Sequence, residues 1–265
     1  MYAIGERING MFKSVAAAIK EKNPEPIQDL AREQLKAGAQ ALDVNVGPAA
    51  EDALAAMEWL VKTIREVTEA PLVIDTTKPE VMRRGLEAAG SGSVINSSKG
   101  QQEQLDIFVP MAVEHEASLI ALTIDENGIP RDANGRGEIA LRAVAAAMEK
   151  GLPMDRLMID AVILPVNVTQ PTPGHVLEAI RNVKLLSDPP PKTVLGLSNV
   201  SQGTRQRELI NRTYLVMALA VGLDAAIVDV LDTELMDEMI TAELLMNRAV
   251  YADDFLKAYR ASAAP

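Results

Sequence analysis

Side chains able to hydrogen-bond a small molecule recur along the whole chain, each at the end of a short apolar run. In order they are Glu6 with Asn9, Asp43 with Asn45, Asp75, Asn96, Thr123, Asp160, Ser198 with Asn199, and Asp229. A carboxylate accepts two parallel N–H bonds from an amino-pyrimidinone edge, and an Asn amide donates to a ring carbonyl while accepting from an amine. The set therefore suits a flat heterocycle rich in N–H groups and ring nitrogens, and pterins offer that edge. It holds no histidine, no cysteine and little positive charge, which argues against phosphate recognition by Arg or Lys clusters and against proton abstraction by imidazole.

Each position also has a duller use. Asp75 precedes Thr76-Thr77-Lys78-Pro79 and could serve the following helix, although Thr77 lies closer to the usual cap position before a proline start. Asn96 heads Ser97-Ser98-Lys99-Gly100, where an Asx-turn fits as well. Asp160 ends its run with no obvious capping duty, and Asn199 sits in Gly196-Leu197-Ser198-Asn199-Val200-Ser201, where one polar residue could form a turn. The joint pattern is harder to dismiss than its members. So many acids also suit an oxygen-ligated Mg²⁺ or Ca²⁺, but no stretch has the spacing of a recognised calcium loop, and no metal site is expected. The twelve methionines, spread as at Met217, Met236, Met239 and Met246, read as core filler.

The elements that carry these side chains alternate. Apolar, β-branched runs fall at Tyr2 to Ile4, Ala41 to Val46, Leu72 to Ile74, Val94 to Ile95, Leu119 to Thr123, Leu157 to Ile159, Val194 to Leu197 and Ala225 to Val228. Amphipathic stretches such as Ile27 to Ala37, Leu54 to Val67, Pro79 to Ala89 and Asn211 to Val221 lie between them. This is the βαβ pattern of a parallel sheet. A doubly wound sheet fits the alternation too, but a count near eight in a chain of 265 residues favours a single α/β domain over residues 1–265, a (β/α)8 TIM barrel. In that fold the residue just past each strand faces the active-site mouth. Ser187 to Lys192, with three consecutive prolines, reads as a rigid entry to the seventh strand rather than a linker. No Gly-x-Gly-x-x-Gly follows a strand and no Walker-type lysine motif occurs, so dinucleotide and nucleotide-phosphate sites lose their main support.

Composition narrows the rest. With no cysteine there is no disulfide, thiolate zinc site, cysteine-ligated iron–sulfur cluster or Cys nucleophile, so any redox metal must come on a partner. The two histidines, His115 and His175, fall in helical stretches and read as solvated. A net charge of −11 with 3% aromatic residues opposes nucleic-acid binding. No apolar run is long enough for a membrane span, and Met1 to Gly10 lacks the regions of a secretory signal, so a cytoplasmic protein is expected.

Taken together, Ile4-Gly5-Glu6-Arg7-Ile8-Asn9-Gly10, Asp43-Val44-Asn45-Val46-Gly47-Pro48, Ile74-Asp75, Ile95-Asn96-Ser97, Ile159-Asp160 and Gly196-Leu197-Ser198-Asn199-Val200-Ser201-Gln202 resemble the pterin-binding methyltransferases. Within them the match is to the 5-methyltetrahydrofolate:corrinoid/iron–sulfur protein methyltransferases of the acetyl-CoA pathway. The resemblance continues through Ile210-Asn211-Arg212-Thr213 and Gly222-Leu223-Asp224-Ala225-Ala226-Ile227-Val228-Asp229. It implies that Asp75, Asn96 and Asp160 hold the pterin ring, with Gly196, Ser198 and Asn199 beside it and Asn199 near N5, the methylated nitrogen. Gln202 and Arg207 would lie close to the folate, though the loop leaves open which of Arg205 and Arg207 points inward. The resemblance further implies 5-methyltetrahydrofolate as methyl donor, a cobamide carried by a corrinoid partner protein, no covalently bound cofactor, and a homodimer.

N5 is a tertiary amine, and an amine anion is too poor a leaving group to depart without protonation or strong polarisation. The acceptor would be Co(I) on the partner. The expected catalytic set is therefore Asn199, hydrogen-bonding N5, with Asp160, Asp75 and ordered water delivering the proton. A dihydropteroate synthase would share barrel and pterin site, but its usual Ser-x-Arg segment and late-strand lysine are replaced here by Ser198-Asn199-Val200 with no lysine. A protein that binds folate or docks a corrinoid protein without turnover is the non-catalytic alternative.

Overall fold

The computed structural model describes residues 1–48 and 50–263; Ala49, Ala264 and Pro265, which the expected domain includes, lie outside the described residues. Strands and helices alternate: β1 (Tyr2–Asn9), α1 (Lys13–Glu21), α2 (Glu25–Lys36), β2 (Ala41–Asn45), α3 (Ala53–Arg65), β3 (Leu72–Asp75), α4 (Pro79–Ala89), β4 (Val94–Lys99), α5 (Gln102–Glu114) and β5 (Ser118–Leu122). There follow α6 (Ala133–Lys150), β6 (Leu157–Asp160), α7 (Thr172–Val183), β7 (Lys192–Gly196), α8 (Arg207–Ala220), β8 (Ala225–Val228), α9 (Thr233–Leu245) and α10 (Phe255–Ala263). Each strand pairs in parallel with the next and β8 closes on β1. The fold is a (β/α)8 TIM barrel, and the doubly wound alternative is excluded. Among the described residues no helix is long and apolar enough to cross a membrane.

Local chemistry explains how the helices seat. In α3 the Asp52 carboxylate caps the Leu54 and Ala55 N–H groups at 3.0 Å, and Met57, Leu60, Val61 and Ile64 form the buried face. Each such large side chain contributes about 1.5–3 kcal/mol on burial. In α4 Pro79 starts the helix, and Gly85 lets its backbone lie directly on β3: a Cβ there would come 2.6 Å from Ile74 Cγ2. The close approach lies at Ile74, one residue before Asp75. The cap is not Thr77, as the sequence suggested; the N-cap is Lys78, and the hydroxyl of Thr76 accepts the Lys78 N–H at 3.3 Å.

One apolar layer fills the barrel between strands and helices, and a second fills its interior. The interior layer takes one residue from every strand: Ile4, Ala41, Val73, Val94, Ile120, Met158, Val194 and Ala225. Successive side chains of a strand alternate faces, so the next inward position is two residues on. Those positions are Glu6, Asp43, Asp75, Asn96, Leu122, Asp160, Gly196 and Ile227, and all eight line one cavity. The apolar layer is thus the floor of a polar chamber at the C-terminal mouth.

Phase also corrects one expectation and removes one alternative use. Thr123 is one residue out of step; it is buried away from the cavity, its hydroxyl without a partner among the described residues, and Leu122 takes its place. Asn96 forms no Asx-turn: it lies within β4, just before a register shift between Asn96 and Ser98.

Candidate active site

The cavity holds about 920 Å³, ample for a pterin with its substituents. On the β2–β4 side the acids and amides are tied to one another. The Asn96 Nδ2 donates to Asp43 Oδ1 at 2.9 Å, and the Asn45 Nδ2 donates to Asp75 Oδ2 at 2.6 Å. Asn45 in turn accepts the Gly47 N–H at 2.6 Å, which anchors its own orientation. These bonds leave Asn96 Oδ1 and Asp75 Oδ1 for a ligand.

Across the chamber Asp160 accepts the Val162 N–H at 2.7 Å. Val162 has φ +56, a left-handed conformation that a β-branched residue rarely adopts, so this bond holds strained backbone beside the carboxylate. Buried Arg136 of α6 steadies the same stretch by donating through Nε to the Ala161 carbonyl at 2.8 Å.

Burial raises the pKa of every carboxyl group in the ring that shifts. For Asp160 burial lifts it to about 6, with the N–H groups of Val162 and Gly196 pulling the other way. For Asp43 burial comes first and the neighbouring Asp75 charge second, against the Asn96 hydrogen bond. For Asp75 burial is opposed by Asn45. Glu6 is raised by burial and then by Asp229, while the Ser198 hydrogen bond lowers it. A carboxyl group whose pKa is raised keeps its proton to a higher pH than a free one, which suits it to hold or pass a proton.

The rim is built by β1, β7 and β8. Ser198 Oγ reaches both carboxylate oxygens of Glu6 at 2.8 Å. Arg7 pairs with Asp229 at 3.1 Å and lies 4.6 Å over the Phe12 ring. Behind them, fully buried Gln34 of α2 accepts the Arg7 N–H at 2.9 Å, where β1 shifts register against β2 between Gly5 and Ile8. After β7 a short 3-10 turn, Leu197–Ser201, carries Asn199 exposed at the mouth. Its side-chain amide makes no hydrogen bond among the described residues and rests over Gly196, where a Cβ would stand 3.0 Å from Asn199 Nδ2.

A model of the pterin binding enzyme family matches residues 5–229, from within β1 to the residue just past β8. The chain belongs to the pterin-binding enzyme family. It is 28% identical over 262 residues to a methylcorrinoid:tetrahydrofolate methyltransferase of Eubacterium limosum, covering 98% of this chain and 96% of that protein. It is 31% identical over 238 residues to a methionine synthase of Mycobacterium tuberculosis, covering 85% of this chain but only 20% of the longer protein. The dihydropteroate synthase of Thermus thermophilus superposes with a TM-score of 0.65 at 16% identity, over 93% of this chain and 94% of that one, a likeness of fold.

In this pterin-binding enzyme the residues singled out from sequence converge. Asp75, Asn96, Asp160, Gly196, Ser198, Asn199, Gln202 and Arg207 all line the cavity, and Arg205 does not. Arg207 braces the turn, with Nε on Ser201 Oγ at 3.3 Å and an Nη on the Ser198 carbonyl at 3.4 Å. Glu6 and Asp43, both among the strand-end residues named from the sequence, take their roles from contacts that only the closed barrel makes, with Ser198 and with Asn96. Arg7 and Gln34 have no strand-end signal, since a bulge and a helix in another part of the chain place them. Among the described residues no group of three or more His or acidic side chains is arranged to hold a metal ion. Neither histidine lines the cavity.

Proposed function

We propose that this enzyme moves a methyl group between N5 of tetrahydrofolate and the cobalt of a corrinoid carried by a second protein, in the cytoplasm. The observation that carries the reading is the convergence of Asp75, Asn96 and Asp160 on one chamber, with the unpaired Asn199 amide at its rim. The near full-length relationship to a methylcorrinoid:tetrahydrofolate methyltransferase supports it.

In the direction from folate, the C–N5 bond breaks with its electron pair left on nitrogen, which takes a proton, and Co(I) supplies the pair for the new methyl–cobalt bond. The name of the Eubacterium limosum relative states the opposite direction, and by microscopic reversibility one site serves both. Asp75, Asn96 and Asp160 hold the pterin edge through the oxygens their neighbours leave free. Gly196 and Ser198 shape the wall beside the ring, Gln202 and Arg207 face the folate substituent, and Asn199 hydrogen-bonds N5 as charge develops there. Asn199 has no titrating proton, so Asp160 and Asp75 relay it through water. A corrinoid/iron–sulfur protein as partner and a homodimeric assembly are part of this reading.

Mixing the enzyme and 5-methyltetrahydrofolate with candidate Co(I) corrinoid proteins, and following methyl–cobalt absorbance, tests it. Asn199→Ala is expected to slow transfer by about 100-fold or more while the pterin still binds. Unchanged transfer in that variant would remove Asn199 from the mechanism, and tight pterin binding with no transfer to any acceptor would overturn the activity.

A further inference from the structure

Ser198 was expected to touch substrate, yet its hydroxyl and its carbonyl are already engaged. Its hydroxyl lies 2.8 Å from each oxygen of the Glu6 carboxylate, and its carbonyl accepts from Arg207 at 3.4 Å. Glu6 stands on β1 and Ser198 follows β7, so the bond reaches across β8, which offers only apolar Ile227 to this layer of the barrel. No other polar side chain of that layer lies between them to hold the turn from this side. Asn199, the next residue, has an exposed amide with no hydrogen bond among the described residues, and so it points where the turn backbone points it.

Building on the role given to Asn199 in the proposed function, we infer that Ser198, anchored by Glu6, is a positioning residue that sets the Asn199 amide over Gly196 and aims it at N5. Glu6 acts on the turn from the β1 side and Arg207 from the α8 side, through Ser201 Oγ and the Ser198 carbonyl. Buried Leu197 and Val200 seat the turn in the core, and the Glu6 carboxyl and Arg207 guanidinium on opposite flanks fix its polar face at Ser198, which with Asn199 has no apolar packing of its own. Gly196 completes the arrangement, because a Cβ there would occupy the space into which the amide settles.

A mutant cycle tests this, with free cob(I)alamin as acceptor, saturating 5-methyltetrahydrofolate, single-turnover rates, and calorimetry for pterin affinity. Ser198→Ala removes both hydrogen bonds to the part-buried Glu6 carboxyl and is expected to slow transfer about tenfold with affinity unchanged within about twofold. Ser198→Thr, which keeps the hydroxyl, restores the rate to within about threefold of wild type. Glu6→Gln keeps an acceptor oxygen and is expected to slow transfer about threefold. In an Asn199→Ala background Ser198→Ala should add nothing, because the residue it positions is gone. The inference is overturned if Ser198→Ala weakens pterin binding in step with the rate, or if its tenfold loss multiplies onto that of Asn199→Ala. Wild-type transfer by Asn199→Ala itself overturns the assigned role of Asn199 and this inference with it, whereas a slow Asn199→Ala with full additivity sinks the inference alone.

Discussion

The Asn96 amide donates to the Asp43 carboxylate at 2.9 Å, joining β4 to β2 over the inner end of β3. The bond commits Asn96 Nδ2 and turns its Oδ1 toward the cavity, so Asp43 decides which face of the amide a ligand meets. Asp43 lies beneath the ligand-facing groups, buried, with its pKa raised well above the ordinary range by that burial and by Asp75.

Replacing Asp43 by Leu removes the acceptor that orients Asn96 without touching the free oxygen. The expected outcome is a loss of about tenfold in affinity for 5-methyltetrahydrofolate by calorimetry, the worth of one oriented hydrogen bond. Affinity equal to wild type would mean that Asn96 keeps its orientation without Asp43.

Asp160 has a folded-state pKa of about 6 against an ordinary 3.8, with burial as the cause. A raised value means the folded form binds the proton more tightly than the unfolded chain. The stability lent by this group is therefore complete below pH 3.8 and lost as pH rises through about 6. Asp160→Asn keeps an oxygen for the Val162 N–H and abolishes the ionisation. It should be more stable than wild type at pH 7.5 by on the order of 2 kcal/mol, with the difference closing toward pH 4. Thermal melts across that range check it; a gain of equal size at every pH would show that ionisation is not the source.

Gly196→Ala tests the space under Asn199. Its φ of −76 suits alanine, so the fold should tolerate the change, but the new Cβ would stand 3.0 Å from Asn199 Nδ2. Methyl transfer should slow about fivefold, with melting temperature shifted by no more than the roughly 0.5 kcal/mol usual for a compatible substitution. A transfer rate equal to wild type would show that the amide has room elsewhere.

Gly5→Ala probes the support of β1. A Cβ at Gly5 would meet Gln34 Oε1 at 2.5 Å, the atom that accepts the Arg7 N–H. Because Gln34 is fully buried it has nowhere to retreat, and the expected cost is about 1–3 kcal/mol in denaturant unfolding. An undisturbed midpoint would rule out a tight fit at this place.

The strands were the most legible part of the chain. All eight apolar runs are strands because a parallel strand covered by helices is buried on both faces and must read as a continuous β-branched run. Their ends were less exact: β1 runs on to Asn9 and β4 to Lys99, past the apolar residues, because backbone pairing continues after the side chains turn polar. Thr123 shows the cost of judging a strand by its end rather than its phase. The competing local uses of Asp75 and Asn96 are decided only by tertiary contacts, since a carboxylate before a helix reads the same whether it caps that helix or accepts from Asn45 across the sheet.

By itself, the sequence determined the strands, the expectation of a barrel, and the polar residue types at the strand ends, since an apolar run that closes on a polar residue is a local property. Which of those groups are bound to one another was decided only by closing the barrel. Closure sets β1 and β7 on either side of β8 and brings Glu6 onto Ser198, residues far apart along the chain. Burial in that closed space then raised the carboxyl pKa values, because desolvation depends on everything packed around a group and not on its neighbours in sequence.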